Sequence, residues 1–320
     1  MASPSPSTNA VRVDTSPLAR VRSFELAPAS FLRLALAAAV SLYVIVVSGA
    51  VVRLTASGLG CQTWPGCERG SFFPASSYHG FVEFGNRAVA LFPITLTLLA
   101  WLGARRTPGL PAWASWTALA TFAGTLAQAP LGFITIYYDL DPVLVISHFL
   151  LALAVLGGGV VVAVAAWGTA RGVANRRPSR RVRAVTLALV AAALALVVSG
   201  TLATAAGPHA GDPKAKRLGM LYDAVYVHVR VSAVFGTLLA AALVLLARRR
   251  SAFPRLFVAG LVLLALLVAQ GIVGEVQWRT RLPWGVVLVH VALAAAVWAT
   301  AVALAALSWR PPASIARPRA

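Results

Sequence analysis

Eight apolar runs, each about twenty residues or longer, limit what this chain can fold into. They lie at about 33–53, 79–103, 113–134, 142–168, 184–205, 222–247, 255–276 and 285–308. A run of that length in hydrocarbon must satisfy every backbone N–H and C=O internally, which leaves the helix as its solution. With 59% hydrophobic and 12% charged residues and a mean hydropathy of +0.80, the chain has too much apolar surface for a water-soluble domain. The expected fold class is an all-α membrane protein with eight transmembrane helices.

The charge of +19 suggests nucleic acid until the positions of the charges are considered. Most Lys and Arg gather in the N-terminal arm, at Arg105–Arg106, in 171-RGVANRRPSRRVR-183, at Arg248–Arg250 and in the C-terminal tail. Seven of the nine acidic residues fall on the opposite side. This is the positive-inside pattern, with both termini cytoplasmic, and it removes the case for a nucleic-acid partner. The Ser/Pro/Ala-rich residues 1–28 read as a disordered cytoplasmic arm, without the pattern of a cleaved signal peptide.

The two halves of the chain repeat. The first-span stretch 46-VVSGAVVRLTASG-58 matches 197-VVSGTLATAAG-207, 128-QAPLG-132 matches 270-QGIVG-274, and His148 matches His290. Setting 83-EFGNRAVALF-92 beside 225-VYVHVRVSAVF-235 places Asn86 opposite His228. Gln128 to Gln270, His148 to His290 and Asn86 to His228 are each 142 residues apart. Four spans per half give both halves the same orientation, a parallel repeat of two pseudo-symmetric four-helix bundles. The expected division is an arm (1–28), a first bundle (29–170), a basic linker (171–183), a second bundle (184–308) and a tail (309–320). No Gly/Pro break is expected at the middle of any span. The first half is nine residues longer in its first outer loop, which holds Cys61 and Cys67. Six apart with Gly and Pro between, these two can close a small disulfide loop, a staple open to redox change; the alternative is two unpaired thiols.

Asn86, His148, His228 and His290 are expected at one depth, about 9 Å inside the outer ends of spans 2, 4, 6 and 8. Ionisable groups inside spans are costly and usually face the bundle interior in functional roles. Two neutral imidazoles across a bundle are the axial arrangement for a haem iron, so His228 and His290 are the candidate metal ligands. The bland reading of each is an interhelical hydrogen bond. Zinc would need a third ligand. Arg53, Arg87 and Arg230, near outer span ends, suit haem propionates, with snorkelling to headgroups as the alternative. Gln128 and Gln270 are expected to bond between helices, and His209 to be a solvated loop residue.

The segment 49-GAVVRLTASGLGCQTWPGC-67, the 83-EFGNR-87 motif and the histidines at 148, 228 and 290 on eight repeated spans resemble haem A synthase over nearly the whole chain. The resemblance implies oxidation of the C8 methyl of haem O to a formyl group by successive hydroxylations, supplying haem A to terminal oxidases. It implies a haem b cofactor between His228 and His290, a substrate haem in the first half, and a catalytic role for Glu83. This chain departs from the family pattern in carrying Asn86, followed by Arg87, where the family commonly has His. The substrate site then keeps His148 and lacks its partner. His79, about two turns from Asn86 on the same helical face, could be a displaced ligand, a proton carrier for Glu83, or an interfacial residue with no role.

The partners implied are haem O, the lipid bilayer, and a haem O synthase, a terminal oxidase or its assembly factors. The expected location is a bacterial plasma membrane, the haem sites toward its outer face. Two alternatives stand beside this: a bis-His membrane cytochrome b passing electrons from quinol, and a tandem-repeat membrane transporter.

Overall fold

The computed structural model describes residues 25–172 and 177–309. Most of the expected arm, residues 173–176 of the linker and the tail beyond residue 309 lie outside the described residues. The helices are α1 (Pro28–Leu54), α2 (Tyr78–Val89), α3 (Leu91–Ala104), α4 (Ala112–Tyr137), α5 (Pro142–Arg171), α6 (Arg180–Ala206), α7 (Leu221–Ala247), α8 (Pro254–Arg279) and α9 (Trp284–Trp309). Counting α2 and α3 as one crossing, eight are long and apolar enough to span a membrane, and each contains one of the apolar runs. Polar residues cap the first turns of some of them: Ser77 accepts from Gly80 N–H, and Asp141 from Val143 N–H.

Apolar side chains point outward as well as inward. Val40, Trp116, Val258 and Ile272 are more than half exposed, which suits surfaces covered by acyl chains. Helices approach one another through small residues such as Ala35, Gly159, Ala163 and Ala166, as expected where packing rather than water exclusion holds helices together.

The second crossing runs from Tyr78 to Ala104 and its helical pattern is interrupted only at Ala90, which keeps right-handed helical torsions and whose N–H still bonds the Asn86 carbonyl. Pro93 lacks an N–H for the Val89 carbonyl one turn earlier, and its ring crowds that turn. Pro130 sits inside α4 without dividing it.

The helices pair by the same scheme in each half. In the first, α1 packs on α3 and α5, and α4 on α3 and α5; in the second, α6 packs on α7 and α9, and α8 on α7 and α9. Between halves, α9 packs on α5 and α1, and α5 on α6. Hydrogen bonds cross this boundary, from Trp298 Nε1 to the Leu153 carbonyl (2.7 Å) and from the Tyr43 hydroxyl to the Ala292 carbonyl (3.0 Å). One apolar core runs through both halves, including Leu42, Leu156, Leu189, Phe235 and Trp298. The turns α4–α5 and α8–α9 also correspond. Asp139–Leu140 and Arg281–Leu282 are left-handed pairs, with Leu140 N–H bonding the Thr135 carbonyl and Leu282 N–H the Gln277 carbonyl.

A disulfide joins Cys61 to Cys67 in the α1–α2 loop. The loop lies directly on the start of α2, where Gly60 meets the His79 carbonyl so closely that no side chain fits between them. This disulfide end of the molecule carries the histidine sites.

Candidate haem sites

The four aligned positions share one depth. Asn86, His148, His228 and His290 lie six to eight residues past the first residues of α2, α5, α7 and α9. In the second bundle, the rings of His228 and His290 come together edge-on, with centres 6.4 Å apart and planes at 72°. Two imidazoles bound to one iron through bonds of about 2 Å, each ring centre about 1.2 Å behind its nitrogen, would have centres about 6.4 Å apart.

Glycines on the adjacent helices make room for these rings. A Cβ on Gly200 of α6 would lie 3.1 Å from His228 Cε1, and one on Gly274 of α8 would lie 3.2 Å from His290 Cε1. His228 Nδ1 is 3.0 Å from the Ser199 hydroxyl oxygen. With that hydroxyl donating to the Leu196 carbonyl, the imidazole can donate at Nδ1, which leaves the Nε2 lone pair available to a metal. His290 Nδ1 is buried beside the Gln270 backbone without a formed hydrogen bond. Spacing, glycine cradles and tautomer fit a haem b iron. Among the described residues no group of three or more His, Cys, Asp or Glu gathers, so a zinc-type ligand set is not offered.

The first bundle has the same frame with different contents. His148 rests on Gly132 of α4, where a Cβ would be 3.4 Å from its Cε1. Gln128 donates to the His148 carbonyl at 3.2 Å, the interhelical bond expected of it. His148 Nδ1, Asn86 Oδ1 and Gln128 Oε1 are all buried without hydrogen-bond partners. Buried polar atoms are usually paired, so three orphans in one bundle mark a place built for something besides helix packing. Gly49, which aligns with Gly200, has nothing within 4 Å of where its Cβ would be.

Glu83 is buried beneath the disulfide loop, with one oxygen accepting from Cys61 N–H at 2.8 Å and the other from the Arg87 guanidinium. Arg87 also donates to the carbonyls of Thr63, Pro65 and Gly66 within the disulfide ring. Its guanidinium is thus committed to the loop and to Glu83. Arg53 donates to the Thr204 carbonyl of α6 at 2.8 Å and bridges the two halves. Arg230 lies over the Tyr226 ring, 3.2 Å from its centre. His79 is exposed and 2.9 Å from the Ser57 hydroxyl, about 10 Å along the helix from Asn86. His209, expected to be solvated, bonds the Leu282 carbonyl at 2.8 Å.

Sequence reasoning missed the glycine cradles and Ser199. Their signal was present, since Gly132 and Gly274 close the matched segments QAPLG and QGIVG, four residues after each Gln. One helical turn separates these residues, so Gln128 reaches the His-bearing helix while Gly132 and Gly274 admit the rings.

Residues 32–79 match the model of a family described as cytochrome oxidase assembly protein. A heme A synthase from Bacillus licheniformis is 29% identical over 106 residues, covering 33% of this chain and about a third (35%) of that protein's length. Residues 146–305, from just before His148 through nearly all of α9, match the model of a family described as protein of unknown function (DUF998). With half of its length matched in this way, the chain belongs to that family, and its first span and disulfide loop are similar to the cytochrome oxidase assembly proteins.

Proposed function

We propose that this protein is a membrane oxidoreductase of the haem A synthase type, converting the C8 methyl of haem O to a formyl group by successive hydroxylations, a four-electron oxidation that takes its oxygen from water or dioxygen and passes its electrons to an acceptor outside the protein. The reading rests on the His228–His290 pair, whose ring spacing and glycine cradles suit one iron porphyrin. The local likeness to a heme A synthase supports it. In this reading His228 and His290 hold haem b, which when bound supplies one-electron redox chemistry. Haem O enters the first bundle, where His148 is the one imidazole available to its iron and the space beside Gly49 and Asn86 receives part of the macrocycle.

Glu83 is the candidate acid–base group. Cys61 N–H and Arg87 fix its carboxylate at the disulfide end, where it can accept a proton from the methyl carbon once that carbon has been oxidised, or stabilise positive charge on it. Asn86 offers an amide in place of an imidazole and is no ligand for iron. A single strong axial ligand suits a porphyrin that must arrive and leave, whereas two suit a resident one. The site lies on the disulfide side, in a bacterial plasma membrane with that side outward. A haem O synthase and a terminal oxidase or its assembly factors are the partners that would deliver and receive the porphyrin.

A second reading, a bis-His cytochrome passing electrons from quinol, gains from the same details: both Glu83 oxygens are already engaged, and Asn86 removes a ligand. Expressing the protein in membranes that contain haem O, then extracting and identifying the haems, decides between them. Formyl-bearing haem A is the expected product. Haem b alone, with haem O unchanged, would leave the cytochrome.

A further inference from the structure

A cavity of about 570 Å³ opens at the disulfide end of the second bundle. Its walls come from the end of α6 (Ala206 and Gly207), Leu221 at the start of α7, and Trp278, Arg281 and Leu282 at the end of α8. Pro208 and Arg217, from the α6–α7 loop, complete the lining. The bond from His209 to the Leu282 carbonyl ties this loop to the α8–α9 turn.

The charges around this cavity do not balance. Arg217 donates to the Gly207 carbonyl and Arg53 to the Thr204 carbonyl, both at the C-terminal end of α6. The Arg53 and Arg217 guanidiniums are near enough to repel each other, and Arg53 Nε is buried without a partner. Arg281 adds a third positive charge on the far wall. Among the described residues, ion pairs join Glu83 with Arg87 and Glu275 with Arg279, so no carboxylate meets any of these three arginines. The carbonyl end of α6 offsets part of one charge, and the rest calls for an anion.

The cavity's position identifies that anion. Ala206 lies six residues beyond Gly200, Trp278 four beyond Gly274, and Leu221 seven before His228. At about 1.5 Å per residue the lining therefore starts about 6–10 Å toward the disulfide end from the level of the two imidazoles. A porphyrin standing edge-on between His228 and His290 carries its two carboxylates on one edge, at about that distance from its metal.

We propose that this cavity is a dicarboxylate site in which Arg217 and Arg281, backed by Arg53, hold the propionates of the porphyrin seated between His228 and His290. The assignment rests on the haem b reading above and adds residues to it. Arg230, stacked on Tyr226, is left outside the site. An anionic lipid headgroup offers similar oxygens to the same guanidiniums, and the test separates the two sources.

Full-length protein would be loaded with haem or with its dimethyl ester, which lacks both carboxylates, and the rate of haem loss to apomyoglobin followed by absorbance. The wild type should release the ester about tenfold faster than the diacid, and R217Q/R281Q should release both at the ester's rate. R217K/R281K, which keeps the charges, should retain most of the discrimination. If R217Q/R281Q still favours the diacid as the wild type does, the assignment is overturned. If that variant instead loses bound phosphatidylglycerol in native mass spectrometry while its haem discrimination persists, the cavity is a lipid site. A wild-type protein without the bis-imidazole absorbance signature would overturn the haem b reading itself, an outcome distinct from the other two.

Discussion

Gly49 and Gly200 occupy corresponding places in α1 and α6, yet a methyl group on Gly200 would lie 3.1 Å from the His228 ring while one on Gly49 would touch nothing within 4 Å. One frame therefore serves two purposes: the second bundle fills the space with an imidazole, and the first leaves it open. Gly200→Ala should push His228 out of line and weaken haem retention about tenfold, at a cost of about 1–2 kcal/mol. Gly49→Ala should leave thermal stability within about 0.5 kcal/mol of wild type. Absorbance titration and melting curves of the two variants check this pair of outcomes.

Separate roles for the halves predict separable losses. His228→Ala or His290→Ala should abolish the bis-imidazole spectrum of the purified protein. Glu83→Gln should keep that spectrum and lower haem A formation about 100-fold or more, as expected when a positioned acid–base group is removed. Full synthase activity in the Glu83 variant would remove this residue from the chemistry.

The covalent ring around Cys61 and Cys67 presents one backbone N–H and three carbonyls to the Glu83–Arg87 pair. Cys61→Ser or a reductant should loosen that clamp. The expected outcome is a stability loss of about 2–3 kcal/mol and a fall in turnover, with haem b retained. Melting curves with and without reductant, alongside haem extraction, test both parts.

Restoring a second imidazole at the first site should trap its porphyrin. Asn86→His is expected to slow release of bound haem from the first bundle by about tenfold or more and to lower turnover accordingly. If release and turnover both stay at wild-type values, ligand number does not control exchange.

The spans were legible because hydrocarbon imposes a length and a composition that each crossing must meet, and every apolar run falls inside one observed crossing. That His228 and His290 come together was legible from their equal depth on two spans of the second half. What the arginines do was not. Arg53, Arg87 and Arg230 end near the expected surface, but their long side chains turn respectively to a carbonyl of the other half, to the disulfide loop and to a tyrosine ring. Sequence position fixes where such a side chain begins, and loop folding decides where its charge ends. The cavity between Arg217 and Arg281 was hidden for the same reason, because residues 64 apart meet there only after the loop closes over α8.

The interruption of the second crossing at Ala90 has a mechanical consequence. Asn86 and Glu83 ride on the segment before that point, while α3 after it is anchored against α1 and α4. Where Pro93 withholds an N–H the crossing loses one rung of its ladder, so a bend there costs less than one in the segments on either side.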